Sequence, residues 1–140
     1  MKAGGKETYE TVATFRGSEL EYMKAQHPFL DRTSLVIVGD HVTLESGTGC
    51  VHTAPGFGVE DFDVCKKYPE IQLVVPVDAS GRQTADAGEF AGQTLDESNK
   101  TIFARMKEDG SLLASQKIVH SYPHCWRCKK PVMFRATDQW

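Results

Sequence analysis

A glycine-rich stretch near the middle of the chain limits how the sequence can fold. Residues 47–62 read GTGCVHTAPGFGVEDF, with four glycines and one proline. Glycine adopts backbone angles that other residues avoid, so residues 54–58, called the glycine loop below, should turn sharply. Residues 50–53 before the loop are predicted as a short strand. From Val59 onward, acidic residues and apolar spacing indicate a helix that begins beside the loop.

Six other short segments are rich in β-branched and aromatic residues, which indicates strands. They are residues 9–15, 35–38, 41–45, 71–77, 112–119 and 132–140. Gly39 and Asp40, between the second and third of these segments, indicate a turn. We therefore predict a β-hairpin there, and a buried strand at residues 71–77.

Helical spacing marks two segments of the chain. In the first, which starts at Val59, the apolar residues on one side are Phe62, Cys65 and Tyr68. The second covers residues 96–109 and ends before Gly110. Its apolar residues are Ile102, Phe103 and Met106. Strands and helices that do not alternate regularly favour an α+β fold, built on a twisted, partly closed β-barrel with a few helices.

Composition and charge narrow the class of protein. With 40% hydrophobic and 25% charged residues among 140, the chain suits one soluble domain. Its apolar runs are too short for a membrane span and no leader is evident, so we expect a cytoplasmic protein without membrane contact.

The net charge of -3 does not by itself favour nucleic-acid binding. Residues 112–137, however, contain five basic and no acidic residues, which predicts either a local positive surface or only a solvated edge. The basic residues are Lys117, Arg127, Lys129, Lys130 and Arg135.

The glycine loop places a histidine and an aspartate as candidate functional residues. His52 should lie at the end of the short strand and Asp61 in the first turn of the helix, nine residues later. In a shared pocket, the carboxylate would bind an ammonium group and backbone N–H groups would bind an oxyanion, which suits an aminoacyl ester. The alternative is that Asp61 only complements the helix dipole.

Several segments resemble the editing domain of isoleucyl-tRNA synthetases, which are class I enzymes. GTGCVHTAPGFGVEDF is similar to the family signature GTG-x-VH-x-APG-x-G-x-x-D, and HSYPHCWRCKKPVMFRATDQW, at residues 120–140, to the segment just beyond it. HPFLDR and VTLESGTG, at residues 27–32 and 42–49, also fit. The resemblance implies a barrel-like editing domain of the valyl, isoleucyl and leucyl type over residues 1–119. It also implies that residues 120–140 form a Cys-x-x-Cys segment and a strand that leads back to the catalytic core.

The resemblance also implies a reaction. The family attaches isoleucine to its tRNA with ATP, and its editing domain hydrolyses mischarged valyl-tRNA. The implied partners are the aminoacylated 3′ end of the tRNA for isoleucine and the rest of the synthetase. Asp61 matches the aspartate that anchors the α-amino group, and His52 matches a histidine that lines the pocket and excludes the isoleucyl ester by size. We take Asp61 and His52 as catalytic candidates, with no general-base role for His52. The predicted substrate-binding residues are Asp61, His52, Thr48, Gly56, Phe57 and Gly58.

The sequence departs from the family pattern in three respects. Phe57 stands where many relatives carry histidine, so a polar contact at that loop position is in doubt. A threonine-rich segment that forms part of the hydrolytic pocket is absent, as are the ATP-binding signatures. We therefore expect that this chain alone hydrolyses aminoacyl esters slowly or not at all, that editing needs no cofactor, and that ATP and magnesium bind only in the missing catalytic core.

Cys125 and Cys128 form a Cys-x-x-Cys pair flanked by histidines, which is half of a zinc knuckle. The alternative is a turn with two free thiols. The resemblance implies that the other two ligands lie upstream of the editing insertion, so we expect an incomplete site that is metal-free or binds zinc loosely. Cys50 and Cys65 are predicted as small core residues. A different function from another class would be a zinc-knuckle module that binds RNA through the basic residues without catalysis.

Overall fold

The computed structural model describes residues 10–45 and 48–138. The first residue of the first predicted strand, Tyr9, the turn residues Ser46 and Gly47, and the end of the last predicted strand, Gln139 and Trp140, lie outside the described residues. The chain forms two compact units. The first unit comprises Met1–Val51 and Pro76–Ala114, and the second comprises His52–Val75 and Ser115–Trp140. The domain division predicted at residue 119 stays a prediction.

The first unit contains a two-stranded antiparallel sheet. Strand β1, Lys24–Gln26, pairs with strand β2, Thr33–Leu35. The backbone pairing continues by one residue pair, because the N–H of Val36 donates to the carbonyl of Met23 at 2.8 Å. At the other end of the strands, the side chain of His27 closes the connection by accepting the Leu30 N–H at its Nδ1, at 3.0 Å.

The predicted hairpin around Gly39 is wrong. A turn does form there, since the N–H of Val42 donates to the carbonyl of Gly39 at 3.1 Å. Residues 36–45 contain no strand, however, and neither do residues 10–15. The partner of β2 is instead the polar segment Lys24–Gln26. A strand of three exposed residues has no alternating apolar pattern, so its composition does not identify it.

The longest helix of the first unit, α2, spans Leu95–Glu108 and confirms the helix predicted at residues 96–109. A capping box begins it: the Thr94 side chain accepts the Glu97 N–H, and the Glu97 carboxylate accepts the Thr94 N–H at 2.8 Å. Gly110, with a φ of 76°, follows its last turn. The helix buries Ser98, whose Oγ accepts a hydrogen bond from Gln83 Nε2 at 3.1 Å.

The core of the first unit lies beside α2. Phe90 is buried at the end of the short 3₁₀ helix Ala85–Phe90, and its ring meets that of Phe29 edge to face at a centroid distance of 5.5 Å. Among the described residues of this unit, Val77 is the other buried apolar one. Another 3₁₀ helix, Gly17–Leu20, precedes β1. None of the helices in the described residues is long and apolar enough to cross a membrane.

The second unit contains helix α1, Val59–Cys65, which confirms the helix predicted to begin at Val59. Val64, Cys65 and Tyr68 are buried. The predicted apolar side of the helix is therefore correct for Cys65 and Tyr68 but wrong for Phe62, which is exposed and lies under the Lys66 ammonium, 4.7 Å from the ring centroid. This helix makes only two turns, and Val64, rather than Phe62, is buried together with Cys65.

The α+β class is confirmed, but the predicted β-barrel is wrong for the described residues. Residues 50–53, 71–77, 112–119 and 132–138 contain no strand, and β1 and β2 alone do not close into a barrel. A strand persists only where neighbouring backbone satisfies its N–H and carbonyl groups. The composition of these segments is typical of strands, but the described residues do not supply the neighbours; Leu113, for instance, is 83% exposed.

Candidate functional site

The glycine loop of the second unit is a tight turn that leads directly into α1. The N–H of Phe57 donates to the carbonyl of Ala54 at 2.9 Å. Gly58 is the N-cap of α1, with extended backbone angles, and its carbonyl accepts the first helical hydrogen bond, from the N–H of Phe62, at 2.9 Å. The predicted order of loop and helix is thus confirmed. The short strand predicted before the loop is wrong, since residues 50–53 contain no strand.

Gly56 is buried because two segments of the second unit approach it closely. A β-carbon built on Gly56 would lie 2.8 Å from the carbonyl oxygen of Val74 and 2.9 Å from Cγ2 of Val75. The N–H of Ala136 donates to the Gly56 carbonyl at 2.7 Å. The loop therefore needs glycine at this position for close backbone approach rather than for unusual backbone angles.

The carboxylate of Asp61 is held against the glycine loop. Its Oδ2 accepts the N–H of Ala54 at 3.0 Å, and the residue is half-buried. Gly58 leaves the space that this arrangement requires, because a β-carbon there would lie 2.9 Å from Oδ2. Among the described residues, none donates a hydrogen bond to Oδ1. Asp61 therefore fastens the loop with one oxygen and retains hydrogen-bonding capacity on the other.

The structure does not join all the predicted site residues. His52 is exposed, on the extended segment that leads to Ala54, and within residues 10–45 and 48–138 neither a hydrogen bond nor an ion pair links it to Asp61. Thr48 belongs to the first unit, where its hydroxyl accepts the N–H of Cys50 at 3.1 Å. Gly56, Phe57 and Gly58 form the turn that leads into α1, the helix that carries Asp61, and Phe57 is half-buried.

A depression of about 430 Å³ lies beside the same loop. Its walls include Val75, whose side chain approaches Gly56, and Ala136, which is hydrogen-bonded to Gly56. The remaining lining residues are Leu73, Arg135, Thr137 and Asp138. Asp61 and His52 do not line this depression in the part of the chain that the structure describes. Sequence reasoning missed its residues, because positions 73–75 and 135–138 are distant in sequence from the loop.

Cys65 is buried on α1, as predicted for a core cysteine. Burial, and secondarily the negative charge of Asp61, raise the pKa of the Cys65 thiol above its usual value. The thiol is therefore protonated at neutral pH and is not a nucleophile. The same prediction for Cys50 is wrong, because that residue is exposed. Cys50 follows the Thr48 turn in the first unit and lies in none of the helices or strands of the described residues.

The Cys-x-x-Cys segment folds as a hairpin. The N–H of Cys125 donates to the carbonyl of Lys130 at 2.8 Å, and the N–H of Lys129 donates back to the Cys125 carbonyl at 2.8 Å. The backbone N–H groups of Cys128 and then Arg127, followed by the Cys128 side chain, lower the pKa of the Cys125 thiol by hydrogen bonding.

These two cysteines fit half of a tetrahedral zinc site, since metal-binding cysteines are thiolates and backbone N–H groups favour that form. Within the described residues, no group of three or more His, Cys, Asp or Glu side chains is placed to hold a metal ion. Both histidines that flank the pair place Nδ1 beside a backbone carbonyl of the same segment. His124 Nδ1, for example, lies 2.8 Å from the carbonyl oxygen of Tyr122.

Comparison with known proteins relates the whole chain to one group of enzymes. No protein-family model matches it. It is 59% identical to an isoleucine–tRNA ligase of Caldicellulosiruptor bescii, 58% identical to that of Caldicellulosiruptor saccharolyticus and 53% identical to that of Petrotoga mobilis. Each match covers 100% of this chain, over 140 residues, and 15% of the relative. The chain thus spans about 15% of the length of the curated relatives it matches.

Proposed function

Because the chain matches one segment of isoleucine–tRNA ligases over its full length, we propose that it is part of such a ligase and contributes to an editing pocket. The pocket would hydrolyse the ester that joins valine to the tRNA for isoleucine, in the cytoplasm. Attachment of isoleucine with ATP and magnesium would belong to the remainder of the ligase. A zinc-knuckle module without catalysis is not favoured, because the match includes the glycine loop and α1 as well as the cysteine segment.

The position of the Asp61 carboxylate is the observation that carries this proposal. An aminoacyl ester presents an α-ammonium group, and a carboxylate is the side chain that binds such a group by charge-assisted hydrogen bonds. The Ala54 N–H already orients Oδ2 at 3.0 Å. This contact leaves Oδ1 to receive the ammonium and fixes the direction in which it is presented. A half-buried carboxylate also interacts with a cation more strongly than an exposed one.

The glycine loop would form the wall of the pocket that contacts the side chain of the amino acid and limits its size. Gly56 and Gly58 let the backbone approach closely without side chains, while Phe57 is half-buried beside them. One methylene group in an apolar pocket separates two substrates by only about 1–3 kcal/mol, and the choice of isoleucine over valine by isoleucyl-tRNA synthetases is the standard example of this limit. A second pocket that admits valine and excludes isoleucine supplies the missing discrimination.

His52 would complete this pocket from the exposed segment before the loop. The proposal gives it a lining role, in which the imidazole restricts the size of the side chain that enters. Water would attack the ester carbonyl, and a backbone N–H at the loop would stabilise the developing oxyanion. The ester C–O bond would then break to release valine and the ribose hydroxyl, which takes the proton that the water loses. The Cys125 and Cys128 thiols would supply two zinc ligands that support the structure of the neighbouring segment and take no part in hydrolysis.

Asp61→Ala in the full-length ligase tests the proposal. We expect hydrolysis of valyl-tRNA to fall by at least tenfold, since a charge-assisted hydrogen bond contributes roughly 1.5–3 kcal/mol, while the rate of isoleucylation stays unchanged. Asp63→Ala is the matched control, because Asp63 lies in the same helix but is exposed and ion-paired with Lys66 at 2.7 Å. Equal valyl-tRNA hydrolysis by the two variants would make Asp61 a structural acid and remove the basis of the proposal.

Asp61→Asn separates substrate binding from support of the loop. Asparagine retains an oxygen that accepts the Ala54 N–H, so the loop should keep its shape, but it has no charge to bind an ammonium group. We expect Asp61→Asn to lose editing as Asp61→Ala does, with an unchanged melting temperature. A variant that retained full editing activity would show that loop geometry, and not charge, is what the reaction requires.

A further inference from the structure

Residues 120–130, called the knuckle below, present aromatic and basic side chains on a rigid hairpin. Besides the two hydrogen bonds between Cys125, Lys129 and Lys130, an antiparallel bridge pairs His124 with Pro131. The N–H of Val132 donates to the carbonyl of Pro123 at 3.0 Å and extends this pairing. Backbone hydrogen bonds therefore join the two arms of the hairpin, and its side chains extend outward from this backbone.

One arm of the knuckle carries a row of three rings. His120, Tyr122 and His124 occupy alternate positions of the chain, and the contacts between their rings place them on one face. The Tyr122 ring meets His120 at a centroid distance of 5.9 Å and His124 at 6.2 Å, edge to face in both cases. Tyr122 is nevertheless 51% exposed. These contacts fix the positions of the three rings relative to one another, and the exposed Tyr122 ring remains accessible to a ligand.

The tip of the knuckle carries one large exposed aromatic residue, Trp126, with one cation on its ring and two more close in sequence. Trp126 is 75% exposed, and the Arg127 guanidinium lies 4.9 Å from its ring centroid. Lys129 and Lys130 follow directly, and both are exposed. Residues 112–137 contain no acidic residue, so nothing of opposite charge in this stretch neutralises the tip. An exposed indole that carries a guanidinium on its ring and is followed by two exposed lysines is unusual in a surface that only faces water.

We propose that the knuckle binds single-stranded RNA, with a base stacked on Trp126 and phosphates at Lys129 and Lys130. This inference rests on the proposed function, in which the ligand is a tRNA. Stacking of unpaired bases on aromatic rings, with cations along the backbone, is the general mode of single-strand recognition. A protein partner would account for the tryptophan, tyrosine and arginine, which are enriched in protein interfaces, but fits less well with the two adjacent lysines, because lysine is depleted there. Duplex RNA fits less well too, since stacked bases leave no free face for the indole.

A photoreactive benzophenone side chain at position 126 of the full-length ligase identifies what covers the knuckle. Irradiation in the presence of the tRNA should join position 126 to an unpaired nucleotide, whereas a benzophenone at position 67, on the exposed Lys67 of the same unit, should not. Cross-linking only to another polypeptide segment of the ligase would overturn the proposal, and so would cross-linking to a base-paired stem or to no RNA.

Binding of the same tRNA to full-length variants gives a second, quantitative test. Trp126→Ala should weaken binding roughly five- to 150-fold, the range for loss of one stacked base. Lys129→Gln with Lys130→Gln should reduce the slope of log affinity against log salt concentration by about 1.4, as expected for two single-strand phosphates. Lys66→Gln with Lys67→Gln is the charge-matched control and should leave the slope unchanged. An unaltered slope in the knuckle variant would refute phosphate contact.

These measurements separate the knuckle from the editing pocket. The knuckle variants leave Asp61 and the glycine loop intact, and Asp61→Ala leaves the knuckle intact. Loss of editing in Asp61→Ala with no RNA cross-link at position 126 would preserve the proposed function and reject the knuckle. The RNA cross-link with unchanged editing in Asp61→Ala would do the reverse.

Discussion

Replacement of Gly56 by alanine should destabilise the second unit through a steric clash. The new methyl group would lie 2.8 Å from the Val74 carbonyl oxygen and 2.9 Å from Val75 Cγ2, whereas ordinary van der Waals contact begins at 3.4 Å. The backbone oxygen must therefore move by about 0.6 Å, and the 2.7 Å hydrogen bond from Ala136 N–H to the Gly56 carbonyl must adapt. Forced overpacking of this kind costs roughly 1–3 kcal/mol.

A double variant distinguishes the two clashes at Gly56. Val75→Ala removes the side-chain contact but leaves the Val74 carbonyl in place, so Gly56→Ala with Val75→Ala should recover only part of the stability relative to Val75→Ala alone. Gly17→Ala is the control, because a β-carbon there meets nothing within 4 Å. It should be neutral or stabilising by up to about 1 kcal/mol through the unfolded state.

Urea unfolding of the purified chain, followed by labelling of the buried Cys65 thiol for the second unit and by circular dichroism for both units, measures these differences. A shift of the midpoint without a change of slope reports stability directly. If Gly56→Ala unfolds at the wild-type urea concentration, the close approach of Val74 to the loop is not present in solution, and the steric reasoning is refuted.

Four further predictions concern other parts of the chain. Thr94→Ala should destabilise α2 by about 1 kcal/mol, seen as an earlier unfolding transition by circular dichroism, because it removes an N-cap; an unchanged transition would contradict the cap. The Thr94 N–H and then its hydroxyl lower the pKa of Glu97, so the stability that Glu97 contributes should be present above its ordinary pKa of 4.5 and be lost as pH falls through the lowered value. Comparison of wild type with Glu97→Gln should therefore show a difference at pH 6 that disappears in acid, and a difference independent of pH would exclude this linkage. Cys65 should react with a maleimide only after unfolding while exposed Cys50 reacts in the folded chain, because burial raises the Cys65 pKa and blocks access; mass spectrometry that found equal labelling of both would show that α1 opens. Zinc added to the 140-residue chain should be removed by dialysis against a chelator, since two thiols supply half of a site, and one tightly held zinc per chain by elemental analysis would reveal ligands beyond Cys125 and Cys128.

Much of the local structure could be predicted because it depends on neighbouring residues. Helix α1 follows from Gly58 as an extended N-cap and from acids in its first turn. Helix α2 follows from the Thr94-to-Glu97 capping box, apolar spacing and Gly110. In both cases the residues that define the element lie within one or two helical turns, and a capping residue acts on N–H groups two or three positions away.

The strands could not be predicted with the same success, because a strand depends on a partner. Residues 71–77 and 112–119 have the composition of strands but form none in the described structure. The strand Lys24–Gln26, which does pair, is too polar and short to stand out. Composition measures how well side chains fit a pleated surface, whereas pairing requires backbone from elsewhere in the molecule.

The candidate site likewise contains features that depend on neighbouring residues and features that depend on distant segments. The sequence by itself determined the glycine loop, the helix after it and the place of Asp61 in the first helical turn, since these rest on backbone preferences and short-range hydrogen bonds. Only the tertiary structure decided that Val74, Val75 and Ala136 close around Gly56, and that Thr48 belongs to the other unit. The physical reason is distance along the chain: contacts between residues about 20 to 80 positions apart depend on the packing of whole segments, which no local pattern specifies.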